Sequence, residues 1–180
     1  MRETLELLAT AYQYPGPGRL AGLQARIAGL PKGPIKAALE RFLDRLSTLR
    51  LSEWEELYTA TLDLAPRLPA YVGHAIYGED YRRGAFMAAL NREYTALGVA
   101  LDGELPDHLM PVLRYLATGA EPLPELAEGL GQALQKMHQA LASREADNPY
   151  LTLLEATAAA VGSVLTGPRA SDSAAVALGR

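Results

Sequence analysis

Apolar residues recur at helical spacing along almost the whole chain, and strict alternation of apolar and polar residues is nearly absent. A half-buried sheet needs that alternation, so the pattern predicts an all-α fold. The clearest stripe is Ile35, Ala38, Leu39, Phe42, Leu46 and Leu49, in a helix from Pro34 to Arg50 with Lys36, Glu40 and Asp44 off the stripe. A second helix is expected to open at Ser52, with Glu55 closing a capping box. It carries Trp54, Leu57, Tyr58, Thr61, Leu62 and Ala65 on one side and stops at Pro66 and Pro69.

Further helices follow from punctuation. One runs over 70–77 and ends at Gly78 as a left-handed cap. The next begins at Glu79-Asp80, passes through Arg82, Met87, Leu90 and Tyr94, and ends at Gly98. Pro106-Asp107 reads as the entry to a helix bearing Leu109, Val112, Leu113 and Leu116, with Asp107 as its cap. Leu126, Leu130, Leu134, Met137 and Leu141 mark another helix. Asn148-Pro149 starts a last, alanine-rich one. Two shorter helices, 5–12 and 20–30, flank Pro15-Gly16-Pro17-Gly18. The sum is a single all-α globular domain of about eight or nine helices over residues 1–166. Beyond Gly167-Pro168 the apolar period fades, and 167–180 is expected to be a flexible tail.

Composition narrows the chemistry. With 49% apolar residues, the chain of 180 has enough for a real core. It has no cysteine, which excludes disulfides, thiolate metal sites and cysteine nucleophiles. The net charge of -4 argues against a nucleic-acid partner. The opening Met1 to Glu6 has acids in its first turn and no long apolar run after it, unlike a secretory signal. No apolar stretch is long enough for direct membrane insertion, so a cytoplasmic location is expected. His74, His108 and His138 stand at no metal-binding spacing. Phosphate loops and the nucleophile elbow are missing. No catalytic residue, metal or cofactor is expected.

Two constellations remain. Trp54, Leu57 and Tyr58 share a helical face, which alone is a core stripe. Glu104-Leu105-Pro106-Asp107-His108 gathers two acids and a histidine beside a proline, which alone is a helix entry with a mild hint of a contact site. Between them, Arg82-Arg83 reads as a solvated face with one internal salt bridge, or as a site for phosphate or an acidic partner.

Together they resemble the paired motifs of the TorD/DmsD/NarJ group of molybdoenzyme assembly chaperones. Trp54, Leu57 and Tyr58 match one motif; Glu104, Pro106, Asp107 and His108 match the other. The run Tyr77-Gly78-Glu79-Asp80-Tyr81-Arg82-Arg83-Gly84, with Leu62-Asp63, Tyr94, Gly98 and Arg114-Tyr115-Leu116-Ala117, is similar to the NarJ branch, the nitrate reductase delta-subunit chaperones. Leu7-Leu8, Tyr14-Pro15 and Asn148-Pro149-Tyr150 extend the likeness over roughly residues 5–160.

The resemblance implies an all-helical cytoplasmic chaperone. It would bind the N-terminal segment of a respiratory molybdoenzyme catalytic subunit, nitrate reductase alpha first among the candidates. It would aid molybdenum cofactor insertion and delay membrane docking. Under that reading Trp54, Leu57 and Tyr58 line or support an apolar groove for an amphipathic helix. Asp107 and Glu104 supply a negative rim, Asp63, off the apolar stripe, faces the peptide, and His108 gives pH sensitivity near neutrality. Tyr77, Asp80, Arg82 and Arg83 form a possible secondary contact. A monomer or weak homodimer is expected. Two other readings stay open: a generic helical interaction or regulatory module without such a client, and an enzyme whose site is assembled from residues far apart in sequence.

Overall fold

The computed structural model describes residues 1–63 and 68–166. Among these residues nine α-helices follow in order: α1 (Arg2–Ala11), α2 (Arg19–Ala28), α3 (Pro34–Ser47), α4 (Leu51–Tyr58), α5 (Val72–Tyr77), α6 (Arg82–Leu97), α7 (Leu109–Ala117), α8 (Pro124–Arg144) and α9 (Tyr150–Thr166). A π-helical turn, Thr59–Asp63, continues α4. Among the described residues there is no β-strand, only an isolated antiparallel bridge between Tyr71 and His108. The all-α expectation holds. None of the described helices is long and apolar enough to cross a membrane.

Two helices form the centre because their sequences are apolar over most of their surface. In α7, Leu109 to Leu113 and Tyr115 to Ala117 are all buried, where the sequence pattern predicts a single face. In α9, Ala156 and Ala160 are buried, and the small side chains let neighbours approach. α3 and α8 pack against α9, and α1 packs against both α7 and α9. Burying one leucine of this centre contributes about 1.5–3 kcal/mol.

Polar side chains inside the core are paired. Trp54 Nε1 donates to the Tyr150 hydroxyl at 3.3 Å, and the Tyr58 hydroxyl donates to the Tyr12 carbonyl at 3.2 Å. Asn148 links three elements: Oδ1 accepts the Tyr150 amide at 3.0 Å, while Nδ2 donates to Thr61 Oγ1 at 3.0 Å and to Glu145. The Asn148 cap read from the sequence is therefore in place, and it also pins the π-turn.

Several helix ends differ from expectation. The cap of α4 is not Ser52 with Glu55. The capping pair sits two residues earlier, with Arg50 as the cap and Glu53 at the third position of the helix. The Glu53 carboxylate accepts the Arg50 amide at 2.7 Å and the Arg50 guanidinium at 2.9 Å. Gly98 ends α6 in the left-handed region, with φ 68° and ψ 29°. Gly78 also has positive φ, 61°, but its ψ of −132° lies outside the left-handed helical basin. Helix α6 begins at Arg82, whose amide is accepted by the Asp80 carboxylate at 2.9 Å. The stop read at Pro66 and the tail 167–180 lie outside the described residues.

Candidate functional site

Tyr58 is where the core meets the surface. One turn before it, Trp54 is 3% exposed and belongs to the core. Leu57 is half-buried. The Tyr58 ring meets Tyr150 on its inner side, with centroids 6.4 Å apart, and Tyr14 edge-on at 5.2 Å. Tyr14 itself is exposed. The line from Tyr150 through Tyr58 to Tyr14 thus carries aromatic surface from the core to solvent.

Electrostatics locate the neighbours of Tyr58. Burial pushes its phenol up to about 12, and the nearby Glu104 and Asp63 carboxylates push in the same direction. The Glu104 carboxyl is raised by its own partial burial and then by Asp63. Tyr71 is raised by burial, then by Glu104 and Asp107. So Tyr58, Asp63, Tyr71 and Glu104, drawn from three separate segments, share one field. Among the described residues, neither Asp63 nor Glu104 has an ion-pair partner. A shallow depression of roughly 460 Å³ adjoins, lined by Tyr14, Ser52, Glu55, Glu56, Thr59 and Ala60. It adds two more carboxylates. The face is aromatic and acidic.

Asp107 is not part of that exposed rim, and it does not cap α7. Its side chain is fully buried and pairs with Arg83, which donates from Nε at 2.8 Å and from Nη2 at 3.4 Å. The cap is His108, whose Nδ1 accepts the Met110 amide at 3.2 Å. That bond needs a neutral ring with its proton on the other nitrogen. Burial lowers the His108 value to about 4, against a small opposing pull from Asp107. The expected switch near neutral pH is therefore corrected: His108 stays uncharged there because a desolvated cation costs more than Asp107 returns.

The Tyr77 to Arg83 turn divides in two. Arg82 pairs with Asp80 at 2.9 Å on the surface, and its guanidinium lies 5.6 Å over the Tyr77 ring. Tyr77 also tilts against Phe86. Arg83 turns inward to Asp107, with its guanidinium 5.6 Å over Tyr71. The two arginines point to different partners, which adjacent positions in a sequence do not reveal.

Sequence reasoning missed Tyr71 and Gly73. Tyr71 carries the bridge to His108 and meets its ring edge-on at 5.4 Å. A Cβ on Gly73 would sit 2.6 Å from Asp107 Oδ2. The only signal for Gly73 was a glycine inside a helix, where it costs about 1 kcal/mol unless something needs the space. Among the described residues, no group of histidines and carboxylates is placed to hold a metal ion.

Comparison with curated proteins returns no match. The profile of the family described as nitrate reductase delta subunit matches residues 31–154, more than half of the chain. That span includes α4, the π-turn, Tyr71 and the 104–108 segment. The chain therefore belongs to the nitrate reductase delta subunit family, the NarJ-type assembly chaperones of molybdoenzymes.

Proposed function

We propose that this chain holds the N-terminal segment of a molybdoenzyme catalytic subunit, nitrate reductase alpha being the first candidate, against the face built by Tyr14, Tyr58, Tyr71, Asp63 and Glu104. Holding it in the cytoplasm keeps the subunit from docking at the membrane while its molybdenum cofactor, which belongs to the client, is inserted. The observation that supports this is the pair of carboxylates without cationic partners among the described residues, set beside aromatic rings that reach from the core to solvent.

Each part has a separate task. Tyr14, exposed at the end of the line, offers flat apolar area to one side of an amphipathic helix at little cost in side-chain entropy, and Tyr58, 7% exposed, backs its ring from the core. Asp63 and Glu104 attract lysine or arginine on the client and set its register. A cation seated over a tyrosine face gains about 0.5–2 kcal/mol more. Trp54 and Asp107 do not touch the client. Trp54 backs α4 through Tyr150, and Asp107 works from within.

Calorimetry with the N-terminal peptide of the nitrate reductase catalytic subunit tests this. The wild-type chain is expected to bind. The double variant Asp63→Asn/Glu104→Gln is expected to bind about tenfold more weakly at low ionic strength. The gap should narrow as salt is added. Equal affinity of the two proteins at every salt concentration would remove the acidic face from the site. Absence of wild-type binding would remove the reading itself.

A further inference from the structure

Three residues behind the proposed face are joined so tightly that none can change alone. Asp107 is fully buried and its carboxylate takes both Arg83 donors. Gly73, in the first turn of α5, leaves no room for a side chain: a Cβ there would lie 2.6 Å from Asp107 Oδ2 and 3.2 Å from Arg83 Cγ. Gly73 has no positive φ, so its backbone would accept alanine. The side chains of Asp107, first, and Arg83 forbid it. Main-chain bonds bind the same region: the Val72 amide to the Asp107 carbonyl at 2.7 Å, and the Leu109 amide to the Ala70 carbonyl at 2.8 Å. The Tyr94 hydroxyl holds the Pro106 carbonyl at 2.8 Å.

We infer that Gly73, Arg83 and Asp107 form a clasp of positioning residues that sets Tyr71 and the 104–108 segment in their places on the client face without touching the client. The role given to the face rests on the function proposed above; the clasp itself does not. Arg83 makes the connection in both directions, pairing with Asp107 and covering one face of Tyr71. Glu104 lies three residues before Asp107, in the same segment that the Tyr94 hydroxyl and the Val72 amide hold by its main chain. A buried ion pair contributes little net stability against an apolar replacement, yet breaking one partner is costly. Its value here is geometric: the arginine fork fixes the direction as well as the distance of the carboxylate.

Two measurements test the clasp, each on the full chain. The first is hydrogen exchange on the free protein. In Gly73→Ala the Val72 and Leu109 amides are expected to exchange at least tenfold faster, while amides of α3 and α9 keep their rates. Unchanged protection at Val72 and Leu109 would show that no clasp exists, whether or not the client peptide binds. The second is a double-mutant cycle on affinity for the N-terminal peptide of the catalytic subunit. Glu104→Gln should weaken binding several-fold in the wild-type background and less than about twofold in the Gly73→Ala background, because the loop it acts from is already displaced. Equal effects in both backgrounds, or faster exchange with unaltered affinity, would overturn the positioning role. If Gly73→Ala does not fold, Arg83→Lys replaces it in both measurements, since lysine keeps the charge and loses the fork. If the wild-type chain binds no peptide, the client reading fails and the role on the face falls with it, while exchange still decides whether the clasp exists.

Discussion

His108 is 3% exposed, and its Nδ1 is committed to the first turn of α7. Its value near 4 against about 6.5 in an unfolded chain has a signed consequence. Above pH 6.5 both states are neutral at this residue, and it adds no pH dependence. Between pH 6.5 and 4 the unfolded chain takes a proton that the folded chain refuses. Stability therefore falls as pH falls through that window, by about 3 kcal/mol at its acid end. Glu104 has the opposite sign, since a raised carboxyl favours the folded state on acidification, but it is half exposed and its effect is screened. Urea unfolding at a series of pH values is expected to show the His108 slope in the wild type and its loss in His108→Gln. Equal slopes would mean that the ring is not held neutral. The residue letters brought Asp107 and His108 to notice, but not their roles. An aspartate before a helix ordinarily caps it, and only burial beside Arg83 reassigns the cap to the histidine.

At the scale of elements, the junction of α5 with α8 depends on Gly129. A Cβ there would fall 2.6 Å from Ile76 Cδ1 and 2.9 Å from Ile76 Cγ1. Alanine gains up to about 1 kcal/mol of helix propensity, and overpacking costs about 1–3 kcal/mol. The clash wins, because Cγ1 of a β-branched residue moves poorly within a helix. Gly129→Ala is expected to lower stability by about 1 kcal/mol. In an Ile76→Ala background, where the space is open, the same change should raise it. Thermal melts of the four proteins check the reversal of sign. Element existence was legible in the sequence: the stripes of α3 and α8 and the Asn148 cap of α9 stand where their spacing put them. The ends were less so. The capping box lies two residues earlier, at Arg50 and Glu53 instead of Ser52 and Glu55, and the turn from Thr59 to Asp63 is π rather than α. Cap positions and hydrogen-bond registers differ by energies near 1 kcal/mol, too small for a local pattern to decide.

For the molecule as a whole, early and late segments share one core. α1 packs on α7 and α9, α3 packs on α9, and Tyr12 reaches Thr157. We propose residues 1–166 as the folding unit. Trp54 is the sole tryptophan and is bonded to Tyr150, so its fluorescence reports on α4 and α9 together. Melting followed by this fluorescence and by far-ultraviolet dichroism should give one coincident transition. A chain ending at Thr166 should show the same midpoint. An earlier fluorescence transition would mean that α4 unfolds apart from the rest.

The sequence by itself determined that the chain is helical and, through the motifs around Trp54 and Glu104, which family it joins. Those properties are local: they follow from spacing, capping chemistry and residue type within a few turns. Tertiary structure alone decided that Asp63 and Glu104 share a field with Tyr58 and Tyr71, and that Asp107 turns inward to Arg83 through the gap left by Gly73. The Arg83–Asp107 pair alone joins residues 24 apart. Whether a carboxylate faces solvent or a guanidinium depends on which helices cross there, and crossing is settled by the packing of the entire core.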